Sequence, residues 1–138
     1  MAYQVLSHAA DAGIEATAES LPDLFDELLL ATFELMSPNE AGTQADTTRT
    51  VEIRAETLED LVVDTLSEFL FIAETEDQHF SWFRSEVDPE ALVARIQAGS
   101  RPLRRDRASG AAIKAVTYHQ LVVEQRDGEW FARVYFDV

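Results

Sequence analysis

Three histidines, one lysine and 26 carboxylate side chains supply most of the reactive chemistry in this chain of 138 residues, which has no cysteine. Without cysteine, disulfides, thiolate metal centres and thiol nucleophiles are excluded. His8-Ala9-Ala10-Asp11 sets an imidazole and a carboxylate three residues apart at the expected end of a strand. Lys114-Ala-Val-Thr117-Tyr118-His119 gathers an amine, a hydroxyl, a phenol and an imidazole on a second expected strand. If pairing is regular there, Lys114 and Tyr118 share one face, and Thr117 and His119 point the other way with Leu121 and Val123. A histidine among alternating apolar residues is ordinarily a hydrogen-bonded structural residue. No serine stands in the strand-turn-helix setting of a hydrolase nucleophile, and the His-x-x-Asp spacing alone does not define a metalloenzyme. Asp137, followed by the terminal carboxylate of Val138, offers two anionic oxygen groups side by side. A third carboxylate folding alongside would complete a hard-cation site, and Asp11 is the loop candidate for it. The plainer alternative is that these acids, like most at loops and chain ends, are simply hydrated.

The elements that must position these groups follow from periodicity. Tyr3 to His8 and Gly13 to Ala18 alternate partially and read as two strands joined by a tight connection, with Asp11 in that loop. Ser20-Leu-Pro-Asp23 is a helix start: a capping hydroxyl, a proline tolerated in the first turn and an acid at the positive end of the helix dipole. Leu24, Phe25, Leu28, Leu29, Thr32, Leu35 and Met36 then recur at helical spacing up to Ser37-Pro38. Asn39 to Thr47 is a polar loop, and Val51, Ile53 and Ala55 alternate with charged residues as a half-buried strand. Thr57-Leu-Glu-Asp60 opens a second amphipathic helix, with Glu59, Asp60, Asp64, Glu68 and Glu74 mostly on its wet side. Phe80 to Val87 and Ala91 to Ala98 flank the turn Asp88-Pro89-Glu90. Arg101 to Gly110 has no apolar period and reads as a loop. Ile113 to Gln125 and Glu129 to Val138 flank Asp127-Gly128, a strong hairpin signal. The expected order is β-β-α-β-α-β-β-β-β, an α+β fold with mainly antiparallel sheet in a single domain over residues 1–138.

Charge narrows the function classes. The formal net charge is -15, and its distribution is uneven: residues 1–100 hold 21 acids and 4 arginines, whereas residues 101–138 hold 5 acids and 7 bases. A field so negative repels phosphate backbones and attracts cations or basic protein surfaces, so direct nucleic-acid binding is disfavoured. The basic run Arg101, Arg104, Arg105 and Arg107 is the exception; it either touches RNA or an acidic partner surface or is a solvated loop. Lys114 is the only lysine, a bias that suits a salt-adapted or GC-rich source, for which acidity serves solubility. No apolar run approaches the roughly 18 residues of a membrane span, and no basic-then-apolar leader opens the chain. A soluble, cytoplasmic protein is expected.

Three segments taken together resemble the archease family. They are HAADAGIEATAESLPDLFDELLLATFELM near the start, LEDLVVDTLSEFL in the middle, and IKAVTYHQLVV with WFARVYFDV at the end. The resemblance covers nearly the whole chain, and its specificity lies in the order and spacing of an HTAD-like element, a KAVTYH element and an ending in Asp plus one aliphatic residue. It implies a protein cofactor without catalytic activity of its own, which promotes guanylylation and repeated turnover of a GTP-dependent tRNA-splicing RNA ligase. It also implies a divalent cation held by Asp11, Asp137 and the main-chain carboxylate of Val138. An all-oxygen set favours calcium or magnesium over zinc. His8, Lys114, Tyr118 and His119 match motif positions, with support of the site as their default role. Two positions depart from the family pattern: Ala9 stands where threonine is usual, and Gly99-Ser100 where Gly-Glu is common. Two other readings stand beside this one. An acidic general chaperone or interaction module would need only the charge and the two amphipathic helices, and a small metal-dependent hydrolase would use His8 or His119 as base.

Overall fold

A computed structural model describes residues 2–7, 11–103, 110 and 112–138. The elements run β1 (Ala2–Ser7), β2 (Asp11–Ala18), α1 (Leu21–Met36), β3 (Thr47–Arg54), α2 (Leu58–Glu76), β4 (Gln78–Asp88), β5 (Val93–Pro102), β6 (Ala115–Val116), β7 (Val122–Arg126) and β8 (Glu129–Asp137). This is the expected α+β order, with the strand expected over Ile113–Gln125 divided into β6 and β7. Both helices begin where their capping residues predict. Ser20 Oγ accepts from the Asp23 amide at 3.3 Å, and Thr57 Oγ1 accepts from the Asp60 amide at 3.0 Å, satisfying amides that have no partner within the helix.

The strands form two antiparallel sheets. In the first the order is β1-β2-β8, and β6 and β7 lie in succession along the far edge of β8. In the second, β5 lies between β3 and β4, so the connection from β3 through α2 to β4 is a crossover between two parallel strands. The helices fill the space between: α1 touches β1, β2 and β8 on one side and β4 on the other, while α2 touches β3, β4 and β5 as well as β6 and β7.

The pleat explains which residues face these helices. Ile14 pairs with Val134 and Ala16 with Ala132, and all four are buried, on the face shared with Phe136. Phe25, Leu28, Leu29 and Phe33 of α1 and Leu61, Leu66 and Phe69 of α2, at helical spacing, join them in one buried core. Phe69 and Phe80 pack edge to face with centroids 5.0 Å apart, a geometry favoured by the ring quadrupoles.

Three expected boundaries shift. Asp11 is the first residue of β2, not part of a loop, because the ladder with β8 continues to its end at Asp11 and Asp137. Thr47 joins β3, pairing with Ser100, and Arg101 and Pro102 extend β5 to pair with His79 and Gln78. His8, Ala9, Arg104, Arg105 and Arg107 lie outside the described residues.

Candidate functional site

The end of β8 is where the two distant motifs meet. In the antiparallel ladder Asp11 is the direct partner of Asp137, and on the other edge of the same strand Ala115 is the partner of Asp137. The Lys114 amide donates to the Asp137 carbonyl at 2.8 Å. One residue of β8 is thus flanked by the N-terminal element and by the late KAVTYH element, and Val138 follows it at once. Directly paired residues of antiparallel strands carry their Cβ atoms about 4.5–5.5 Å apart, and like charges at that distance repel. Asp137 is exposed and Val138 is 43% exposed, so both can be reached from solvent. Asp11 enters here as a strand position only. Among the described residues no three histidine or carboxylate side chains are grouped to hold a metal. A cation at this end of β8 would therefore draw on the Asp11–Asp137 pair and the main-chain carboxylate, an oxygen-only set that suits a hard ion.

The late motif does not keep the regular alternation expected of it. From Val116, opposite Phe136, to Val122, opposite Arg133, six steps along the outer strand cover three along β8. Three residues are surplus, and the segment bulges around Tyr118 to Gln120, where Gln120 adopts φ 51°. Thr117 anchors the near side: its amide and its hydroxyl both donate to the Tyr135 carbonyl at 3.0 Å. Tyr118 swings out, 56% exposed, and its hydroxyl donates to Asp60 Oδ1 at 2.6 Å. That bond favours the protonated phenol, and with burial and the charges of Asp60 and Asp64 it pushes the Tyr118 pKa up to about 12. His119 is exposed, its ring 6.1 Å from that of Tyr135. The outer-face ring of Tyr135 lies over Gly13, where a Cβ would sit 2.7 Å from the ring.

The arrangement therefore brings Asp11, Asp137, Val138 and the Lys114 backbone together, and sends Tyr118 toward α2. Asp60 was not foreseeable as a partner of Tyr118: 58 residues separate them, and its position in the first turn of a capped helix already accounts for a carboxylate. His79, only 4% exposed, is a second unforeseen group. Burial and the Arg101 guanidinium lower its pKa, against the weaker opposing effect of Glu40. It lines a cavity of about 670 Å³ between the C-terminal half of α2, the end of α1 and residues 112–116. No helix among the described residues is long and apolar enough to cross a membrane.

Comparison with known proteins follows the same outline. Residues 3–138 match the archease protein family (MTH1598/TM1083). The chain is 31% identical to protein archease of Methanosarcina mazei, covering 99% of this chain and 95% of that one. It is 33% identical to protein archease of Methanothermobacter thermautotrophicus, with 99% and 98% covered. The solution structure of Methanobacterium thermoautotrophicum protein 1598 superposes with a TM-score of 0.81 at 30% identity, over 99% of this chain and 98% of that one. A Thermotoga maritima archease, described as a possible chaperone, shares the fold with a TM-score of 0.61 at 24% identity, over 96% and 94%. The match along the whole chain, together with the meeting of its first and last motifs at β8, places this protein in the archease family.

Proposed function

We propose that this protein is a non-enzymatic, divalent-cation-binding cofactor of a GTP-dependent tRNA-splicing RNA ligase, promoting its guanylylation and multiple turnover. The observation that carries the reading is the direct pairing of Asp11 with Asp137 beside Val138. Two acids at paired strand positions repel each other unless a cation neutralises them. Asp11, Asp137 and the Val138 carboxylate would hold calcium or magnesium, which when bound supplies positive charge and coordination positions left open to a partner's oxygen groups. The chain's own part is electrostatic and positional. Its first 100 residues, with 21 acids against 4 arginines, steer toward a basic protein face and away from free RNA. The ladder fixes Asp11 and Asp137 relative to each other through backbone hydrogen bonds, and Thr117 and Lys114 tie the neighbouring strand to the same end of β8.

The test is guanylylation and multiple-turnover joining by the ligase of the source organism, with and without this protein, across calcium and magnesium concentrations. Stimulation should require the divalent ion and disappear in Asp137→Ala while the circular dichroism spectrum is unchanged. Stimulation that survives Asp137→Ala would remove the cation mechanism. The protein should carry no tag after Val138, because a peptide bond there would remove one of the proposed ligands. Suppression of aggregation in unrelated clients, without any effect on the ligase, would favour the general-chaperone reading.

A further inference from the structure

The exposed face of α2 presents an unusual stripe. Asp60, Asp64, Ser67, Phe71 and Glu74 recur at intervals of three and four and so share one side of the helix. Phe71 is 61% exposed, among the few large apolar side chains so placed in the described residues. Tyr118, 56% exposed, reaches the same side through its bond to Asp60, about 16 Å along the helix from Phe71. The helix carries six acids and no base. Partial desolvation and the neighbouring Asp60 raise the Asp64 pKa.

Beside the Phe71 end of the stripe opens the cavity of about 670 Å³, with Phe33, Met36, Leu70 and Ile113 among its apolar walls. His79 also lines it. Its imidazole, 4% exposed, makes an edge contact with Phe33. The far wall, residues 113–116, is the segment whose Lys114 amide bonds to Asp137, so the cavity adjoins the proposed cation site through one strand.

We infer that the exposed face of α2, from Tyr118 to the cavity beside Phe71, docks a segment of the ligase in which an apolar side chain is flanked by arginine or lysine. Charge complementarity selects this occupant. Its basic residues meet Asp64 and Glu74, an arginine stacks on an exposed aromatic ring, and the apolar anchor enters the cavity beside His79. The inference rests on the ligase reading above and gives it a contact surface separate from the cation site.

The experiment is a binding titration of the ligase with the native-ended protein, using Phe71→Ala and the double charge reversal Asp64→Lys with Glu74→Lys, alongside the guanylylation assay. Phe71→Ala should raise the Kd about tenfold or more, as loss of an interfacial anchor does. The charge reversal should weaken binding and flatten its dependence on salt. Both sites are exposed, and thermal melts check that the fold is kept. As a measurement free of substitution, amides of α2 and of 113–116 should gain hydrogen-exchange protection when the ligase is added. If the native protein stimulates the ligase while both variants bind with unchanged Kd and α2 gains no protection, the docking inference is overturned and the ligase reading stands. If the native protein neither binds nor stimulates, both fall. Sedimentation covers the remaining occupant: a dimer abolished by Phe71→Ala, with ligase binding intact, would make this face a contact between copies and overturn the inference.

Discussion

Replacing Asp26 by Asn should stabilise the protein at neutral pH and leave it nearly unchanged in acid. Asp26 lies on α1, partly buried, and accepts the Ser85 hydroxyl of β4 at 2.6 Å. Burial pushes its pKa from 3.8 up to about 6, only partly offset by the Ser85 hydrogen bonds, and Asp23 and Glu27 push it further in the same direction. The sign follows from linkage. Between pH 4 and 6 the unfolded chain has already released this proton while the folded one still holds it, so stability falls as pH rises through that window. At about 1.4 kcal/mol per decade the burden above pH 6 would be about 3 kcal/mol for a fully buried group. Water reaching this partly exposed carboxylate reduces it to about 1–2 kcal/mol. Asparagine keeps an oxygen for Ser85 and cannot ionise. Asp26→Asn should therefore raise Tm by about 3–7 °C at pH 7.5, with the gain vanishing near pH 4. Paired thermal melts at half-unit steps between pH 4 and 8 measure the difference directly, and subtraction cancels the titration of the other carboxylates. A variant equally destabilised at both ends of that range would refute the reasoning, since Asp26 would then be stabilising as a charged acceptor.

Three further outcomes are expected. Gly99→Ala should cost about 2 kcal/mol or more in a denaturant melt, because a Cβ there would sit 2.0 Å from the Trp82 indole nitrogen and 2.8 Å from the Ala45 Cβ. Asp60→Asn should bring the Tyr118 phenol down from about 12 toward the ordinary 10, visible as an earlier rise in tyrosinate absorbance during alkaline titration. Loss of the divalent ion by chelation should abolish ligase stimulation as completely as Asp137→Ala, and addition of calcium or magnesium should restore it in the native protein alone.

The two helices, their caps and the hairpin at Asp127-Gly128 were legible because each is written in neighbouring residues: a hydroxyl three residues before its amide, apolar side chains at helical spacing, a glycine where φ is 81°. The Asp11, Asp137 and Val138 set was legible only through the resemblance to a family. Spacing alone left those acids as hydrated ends, and their pairing depends on β2 and β8 meeting across the full length of the chain. The bulge at Tyr118–Gln120 was not legible. Alternation continues formally through Thr117, His119 and Leu121, so nothing local marks the three surplus residues, which emerge only from the β8 register on either side of them. His79 was hidden for a related reason, lying at the start of a strand whose apolar pattern becomes evident only from Phe80 onward.

The position of β8 bears on how the fold is made. It is the last strand in the sequence and yet lies inside its sheet, hydrogen-bonded to β2 on one edge and to β6 and β7 on the other. While the polypeptide is being synthesised, β1 and β2 have only each other and α1 to pack against, a two-stranded ribbon that stays open on the edge β8 will occupy. The β3-α2-β4-β5 unit, by contrast, has all its partners within about 55 residues and can close early. Joining β2 to β8 then requires closing a loop that spans almost the entire chain, an entropic barrier that grows with separation and slows folding. The Asp11–Asp137 pair exists only after that closure. Ion occupancy at this pair would thus report on completed molecules, and a ligase that depends on it would be insensitive to truncated or half-folded copies.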